Sequence, residues 1–271
     1  MKLATIRTQA GTSAVRIDDD AAIELGATDL GDILGCPGWK AIAAHAQGPR
    51  HDLAGLDYAP PVPNPEKVFC VGLNYRAHLL EMGRPLPEYP TLFAKFARSL
   101  VGARDTVELP AGSEQVDWEA ELGVVIGAHV RHATLGQAAT AIAGYTVIND
   151  VTARDFQYRS AQWLQGKAFE RSTPVGPWLV VDEDPPGEIS CTVDGDLMQR
   201  ADPADLVFSP ASLVAYISQF ITLVPGDLIA TGTPGGVGHA RKPPRYLTAG
   251  MELVTRVDGI GECRNVMIKG S

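Results

Sequence analysis

The run Asp117-Trp118-Glu119-Ala120-Glu121-Leu122, continued by Val124 and Ile126, constrains this chain more than any other segment. On an extended strand alternate residues share a face, so Glu119 and Glu121 point one way while Trp118, Ala120, Leu122, Val124 and Ile126 line the other. The strand must then bury an apolar side and hold two carboxylates next to each other. Adjacent like charges that lose water are unfavourable without a compensating cation. An oxygen-ligating divalent metal meets that need, with Asp150, at the end of Thr146-Val147-Ile148-Asn149, as the third carboxylate. Hard oxygen ligands favour magnesium, manganese or calcium over zinc or copper. The alternative is an ion-pair network with Arg154 or Lys167, which two same-face glutamates make the poorer account.

Most of the chain beyond residue 65 reads as strands bounded by turn residues: 67–72, 117–127, 144–150, 188–193, 227–231, 251–257 and 262–268. Asp194-Gly195 and Asp258-Gly259 mark two hairpins. The clearest helix starts at Ser209-Pro210, a capping side chain followed by proline at the first helical position, with Leu213, Ile217 and Phe220 at helical spacing. The fold class is therefore α+β, dominated by β-structure. Before it, the proline-rich stretch from Tyr58 to Pro65 breaks regular structure and reads as a linker, giving a small N-terminal domain over 1–65 and a catalytic domain over 66–271.

The 271 residues suffice for a large core. A formal charge of -9, with Lys and Arg scattered, argues against a nucleic-acid surface. No apolar stretch is long enough to span a bilayer and no signal-peptide core is present, so no membrane partner and a cytoplasmic location are expected. Cys36, Cys70, Cys191 and Cys263 show no paired spacing and read as reduced core residues. His129 and His132 lie in a polar stretch with no third ligand nearby and read as a solvated turn.

Four further segments carry candidate chemistry. In Gly72-Leu73-Asn74-Tyr75-Arg76-Ala77-His78-Leu79-Leu80-Glu81, a short helix places His78 and Glu81 three residues apart on one face, where the carboxylate orients the imidazole and raises its basicity. Taken alone, such a pair is more often a surface pair than a dyad. After Asp150, a helix would align Asp150, Arg154 and Gln157 along one stripe. Lys167, beside Gly166 in an apolar setting, is placed to stabilise an enolate or a carboxylate, against a reading as a surface lysine after a turn. The strand running into Gly232-Thr233-Pro234-Gly235-Gly236-Val237-Gly238 offers backbone N–H groups and the Thr233 hydroxyl to a substrate carboxylate. It matches neither a phosphate loop nor a dinucleotide fingerprint.

In this order, from about Val68 to the C-terminus, these segments resemble the fumarylacetoacetate hydrolase superfamily, in its acylpyruvase and 2-hydroxyhepta-2,4-diene-1,7-dioate isomerase-like branch. The residues that carry the resemblance are Gly72 to Tyr75 with His78 and Glu81, Asp117 to Leu122, Asn149 to Asp155, Gly166-Lys167 with Phe169, and Gly232 to Gly238. The resemblance implies mixed β-sheets rolled into a distorted barrel-like sandwich, a small variable N-terminal domain and a homodimer. It implies magnesium or manganese held by Glu119, Glu121 and Asp150, with Lys167 sharing the enolate charge and Arg154 and Gln157 supporting the site. His78 with Glu81 would activate water on lid closure, with Tyr75, Thr233 and Gly232 as substrate contacts. Phe96 follows Lys95 where relatives often carry proline. The implied activity is metal-dependent hydrolysis of a carbon-carbon bond in an acylpyruvate or fumarylacetoacetate-like 1,3-dicarbonyl acid. Two alternatives stand beside it: an isomerase or decarboxylase of unsaturated 2-oxo dicarboxylates from aromatic catabolism or of oxaloacetate, and a non-catalytic metal- or ligand-binding protein on the same scaffold.

Overall fold

Strands set the architecture of the computed structural model, which describes residues 1–81, 83, 85–181 and 187–270, with Glu81 described in its backbone alone. The first half of the chain contributes β1 (Lys2–Thr8), β2 (Gly11–Ile17), β3 (Ala22–Glu24), β4 (Arg50–His51), β5 (Asp57–Tyr58), β6 (Val68–Gly72), β7 (Thr91–Lys95), β8 (Leu100–Val101), β9 (Val107–Leu109), β10 (Val116–Asp117) and β11 (Ala120–Ile126). The second contributes β12 (Ile142–Asn149), β13 (Thr152–Ala153), β14 (Thr173–Val181), β15 (Ile189–Val193), β16 (Asp196–Ala201), β17 (Leu228–Ala230), β18 (Glu252–Val257) and β19 (Gly261–Lys269). Short α-helices among the described residues punctuate them: α1 (Leu30–Leu34), α2 (Trp39–His45), α3 (Arg76–Glu81), α4 (Leu135–Ala141), α5 (Arg154–Gln157), α6 (Leu164–Lys167) and α7 (Pro210–Ser218).

Most strands join one large sheet in the order β4-β3-β2-β1-β14-β12-β11-β17-β6-β7, with β5 added to β1 and β8 to β14. A smaller sheet runs β16-β15-β18-β19-β9, and β10 pairs with β13 alone. The large sheet is mixed, since β17 lies parallel to β6 while β11 is antiparallel to both β12 and β17. Among the described residues its path stays open, so the implied barrel-like roll is a pair of packed sheets that do not close. β1 pairs with β14 through Lys2 opposite Val180 and Leu3 opposite Leu179. Residues 1–65 thereby extend the large sheet, and the stretch after Tyr58 up to Pro65 carries no strand.

Period-two side-chain direction explains how one strand serves two cores. Leu122, Val124 and Ile126 of β11 and Val147 of β12 pack toward the small sheet with Ile189, Leu253 and Cys263, while Val125 and Ile148 face the other way onto Leu3, Leu30, Val68 and Leu179. Full burial on both faces fits a central strand, because water reaches neither its backbone nor its side chains.

Local signals hold with small displacements. Ser209 caps α7 by accepting from Ser212 N, and Leu213 and Ile217 are buried, but Phe220 lies past the helix end, half exposed and edge-on to Phe69 at 6.2 Å. The Asp194-Gly195 turn has both residues in the left-handed region, as a tight hairpin requires. α4 was not foreseen, although Thr134 and Gln137 form a capping box at its start. Cys70, Cys191 and Cys263 are buried and unbridged as expected, whereas Cys36 sits exposed just after α1, so its reading as a core residue is corrected. His129 and His132 are exposed and belong to no cluster of metal-ligating groups among the described residues. No helix among the described residues is long and apolar enough to cross a membrane.

Candidate active site

β10 ends at Asp117 and β11 begins at Ala120, so Trp118 and Glu119 lie in a break between strands rather than inside one long strand. The break leaves backbone N–H groups to be satisfied. The Asn149 side-chain oxygen accepts from Glu119 N (3.0 Å) and Gln199 Oε1 accepts from Ala120 N (2.9 Å), while Asp150 N donates to Glu119 O (2.8 Å). These bonds turn Glu119 alongside Glu121 and bring Asp150, just past the end of β12, against both. Ligand oxygens of Glu119, Glu121 and Asp150 lie within 4.8 Å of one another, and all three residues are buried.

The ion-pair network weighed against a metal is present in full. Lys167 Nζ donates to Glu119 Oε2 (2.6 Å) and Asp150 Oδ2 (2.7 Å), and Arg154 Nη2 pairs with Glu119 Oε1 (2.7 Å) and Asp117 Oδ2 (2.8 Å). Lys95, at the end of β7, donates to Val151 O (3.1 Å) and lies 2.7 Å from Asp150 Oδ1, in a direction that does not make a hydrogen bond. Burial alone would lower the Lys167 pKa, but Asp150 and Glu119 outweigh it and hold the ammonium charged. Burial would raise the Asp150 carboxyl, and Lys167 with Lys95 reverse that, holding it below its ordinary value.

What the network leaves out argues for the metal. Glu121 is completely buried, accepts one N–H from Gly232 (2.7 Å), and has no cation in contact among the described residues. Burial, with Asp150 and Glu119 as like-charged neighbours, pushes its carboxyl well above the ordinary range. Asp150 Oδ1 is buried, with the Lys95 ammonium 2.7 Å away and no hydrogen bond of regular geometry. An uncompensated carboxyl with two further carboxylates within reach forms an all-oxygen donor set of the kind magnesium, manganese and calcium take. The residues present fit such an ion.

Above this floor opens a cavity of about 230 Å³ whose walls include His78, Phe93, Arg154, Gln157, Trp163, Lys167, Thr233 and His239. The structure thus brings His78, Lys167, Arg154, Gln157 and Thr233 to one space. α5 begins at Arg154, four residues after Asp150 rather than directly at it, and Arg154 Nη1 donates to Gln157 Oε1 (2.9 Å). Thr233 Oγ1 accepts from Gln199 Nε2 (2.7 Å) and donates to Ala120 O (3.1 Å). Gly232 spends its N–H on Glu121, and at φ +105 a Cβ there would press on Asn74 Cβ and Val71 O. Tyr75 is buried beside a neighbouring hollow of about 320 Å³ and does not line the main cavity. His78 borders both spaces, and the side chain of Glu81 lies outside the described residues.

Three supporting residues escaped the sequence reading. Lys95 carries a visible sign, a lysine closing the otherwise apolar strand Thr91-Leu92-Phe93-Ala94. Gln199 and His239 carry none, because each is brought in from a distant segment.

Comparison with known proteins agrees with this geometry. Residues 67–268 match the model for the fumarylacetoacetate (FAA) hydrolase C-terminal family. The chain is similar to the oxaloacetate tautomerase FAHD2A, mitochondrial, of Homo sapiens, 43% identical over 232 residues that cover 83% of this chain and 74% of that one. Among solved structures it is similar to a fumarylacetoacetate hydrolase from psychrophilic Exiguobacterium antarcticum, 30% identical with a TM-score of 0.89 over 100% of both chains. It is also similar to a 5-carboxymethyl-2-hydroxymuconate delta-isomerase from Mycobacterium smegmatis, 33% identical with a TM-score of 0.86 over 99% of this chain and 100% of that one. With its mixed sheets and a family match over residues 67–268, this chain belongs to the fumarylacetoacetate hydrolase family of enzymes.

Proposed function

We propose that the chain is a divalent-metal-dependent tautomerase of a short 2-oxo dicarboxylate of the oxaloacetate type. The observation that carries the reading is the floor itself, where Lys167 crosses between two of three clustered carboxylates beneath a small cavity that also meets His78. Tautomerisation moves one proton at C3 and one at the carbonyl oxygen and breaks no carbon-carbon bond, so it needs a charge-stabilising floor and one mobile base. His78 carries the C3 proton. Lys167, held charged by Glu119 and Asp150, stabilises the negative charge that develops on the oxygen. Arg154, braced by Asp117 and Gln157, fixes Glu119, and the Gln157 and Thr233 side chains border the acid. When bound by Glu119, Glu121 and Asp150, magnesium or manganese supplies a Lewis acid for the 2-oxo acid group. The names of relatives at 42–44% identity, oxaloacetate tautomerases, support the substrate. A homodimer is the expected assembly.

A second reading is hydrolysis of an acylpyruvate-like 1,3-dicarbonyl acid. It is favoured by the position of His78 between the main cavity and the neighbouring hollow, which gives a longer acyl group somewhere to extend.

The test supplies magnesium and follows the enol absorbance of oxaloacetate, carbon dioxide release, and the cleavage of acetylpyruvate and fumarylpyruvate, in the wild type and in His78→Ala and Glu119→Ala. Accelerated ketonisation of oxaloacetate, lost in both variants, is the expected result. Cleavage of a diketo acid without tautomerisation would replace it with the second reading, and carbon dioxide release alone would make the chain a decarboxylase.

A further inference from the structure

The floor of the cavity uses up its charges. Four carboxylates, Asp117, Glu119, Glu121 and Asp150, meet three cations, Lys95, Arg154 and Lys167. With all four carboxylates ionised, as ligation by Glu119, Glu121 and Asp150 requires, a divalent ion would leave the floor with an excess of one positive charge, which the first carboxylate of a 2-oxo acid cancels. A second carboxylate must find its donor elsewhere. Among the described residues lining the cavity, the basic groups outside the floor are His78, assigned above to the C3 proton, and His239.

His239 is held in three ways. Its backbone N–H donates to Asp117 Oδ2 (3.0 Å) and that of Gly238 to Asp117 Oδ1 (2.6 Å), so the carboxylate that anchors Arg154 also sets the position of the 238–240 turn. The ring nitrogen Nδ1 pairs with Tyr246 Oη at 3.0 Å. The Tyr158 ring packs against the imidazole with centroids 5.4 Å apart. An exposed side chain with no task gains nothing by giving up its rotamer freedom. This exposed one is fixed through its backbone, one ring nitrogen and the ring itself. The other ring nitrogen, Nε2, has no protein partner among the described residues, and in the tautomer in which the Tyr246 hydroxyl donates to Nδ1 it presents an N–H donor.

We propose that His239, oriented by Tyr246 and Tyr158 and seated by Asp117, is the group that recognises the distal carboxylate of a 2-oxo dicarboxylate. The inference rests on the enolate-forming floor read above and adds to it the choice of diacid over monoacid. Trp163 and Tyr158 also present ring donors to this cavity, but His239 is the one basic ring of the three. Tyr246 is a positioning residue in this arrangement, and His239 is the binding residue.

The experiment is titration calorimetry of the full chain with magnesium, using three stable ligands. Oxalate reports the floor alone. The pair 2-oxoglutarate and 2-oxopentanoate match in length and differ in whether the far end is a carboxylate or a methyl group. The wild type is expected to bind 2-oxoglutarate about 10-fold tighter than 2-oxopentanoate, the value of one good hydrogen bond to a charged group. In His239→Leu that preference should fall to about 2-fold or less, with oxalate affinity unchanged, and Tyr246→Phe should lie between. If His239→Leu keeps the full preference, or the wild type shows none, the inference is overturned while the floor reading stands. If oxalate with magnesium does not bind the wild type, the floor reading fails and the inference with it.

Discussion

Glu121→Gln should make the metal-free protein more stable and at the same time deprive it of stabilisation by metal. Glu121 is fully buried, touches no cation among the described residues and lies beside Glu119 and Asp150, so its carboxyl holds a proton at pH values where the unfolded chain has lost it. From its ordinary value of 4.5 upward to the raised folded value, the native state therefore binds one proton more than the unfolded state. Stability contributed by this group is complete below that ordinary value and is lost as pH rises through the window. The slope is about -1.4 kcal/mol per pH unit for one proton. At about 2.1 cal/mol/K per residue, a chain of 271 residues has an unfolding entropy near 0.6 kcal/mol/K, so each unit lowers Tm by about 2.5 °C. Gln has no proton to lose and keeps the acceptor for Gly232 N–H. Tm measured by scanning calorimetry in chelator should accordingly drift apart in favour of the variant as pH rises above 4.5, by at most about 2.5 °C per pH unit. With excess magnesium at pH 7.5 the wild type should gain stability and the variant little, since binding to the native state alone is what raises Tm. Parallel Tm curves in chelator, or an equal gain from magnesium in both proteins, would refute the reasoning.

Two further perturbations probe the scaffold. Lys95→Met leaves Asp150 Oδ1 facing a thioether in a buried site and should cost about 3 kcal/mol of metal-free stability in urea unfolding; a loss below about 1 kcal/mol would show that Lys167 suffices for Asp150. Gly144→Ala places a methyl group against the Val180 carbonyl where β12 pairs with β14, and should cost about 3 kcal/mol, read as a Tm lower by about 5 °C; an unchanged Tm would mean the two strands separate easily there.

The floor was legible in the sequence because its residues are local to strands whose alternation is visible. Glu119 and Glu121 are two apart on one chain segment, and Asp150 directly follows the strand that pairs with it, with Glu121 opposite Ile148 and Ala120 opposite Asn149. The strand break at Trp118 and Glu119 was not legible, because it depends on Asn149 and Gln199 taking up the freed N–H groups, and Gln199 is 79 positions from the Ala120 it serves. His239 was invisible for the same reason. Nothing in its neighbourhood marks it, and only the fold brings Asp117 beneath its backbone and Tyr246 to its ring. The extension of the sheet by residues 1–65 likewise depends on β1 meeting β14 across most of the chain, a pairing no local pattern encodes.

β11 is hydrogen-bonded along both edges, to β12 on one side and β17 on the other, and every residue in it is buried. Its amide hydrogens can exchange with solvent only when the large sheet opens, so Glu121 and its immediate neighbours are held with nearly the whole free energy of folding. The 238–240 turn has less protection: Gly238 is held by Asp117 and by the Arg241 and Arg245 backbone N–H groups, but His239 and Ala240 are exposed. In hydrogen exchange the two ends of the same cavity should therefore report very different lifetimes. Chemistry built on the slow end would stay constant while changes at the fast end alter which acids the cavity accepts, a division that lets one scaffold be retuned without being rebuilt.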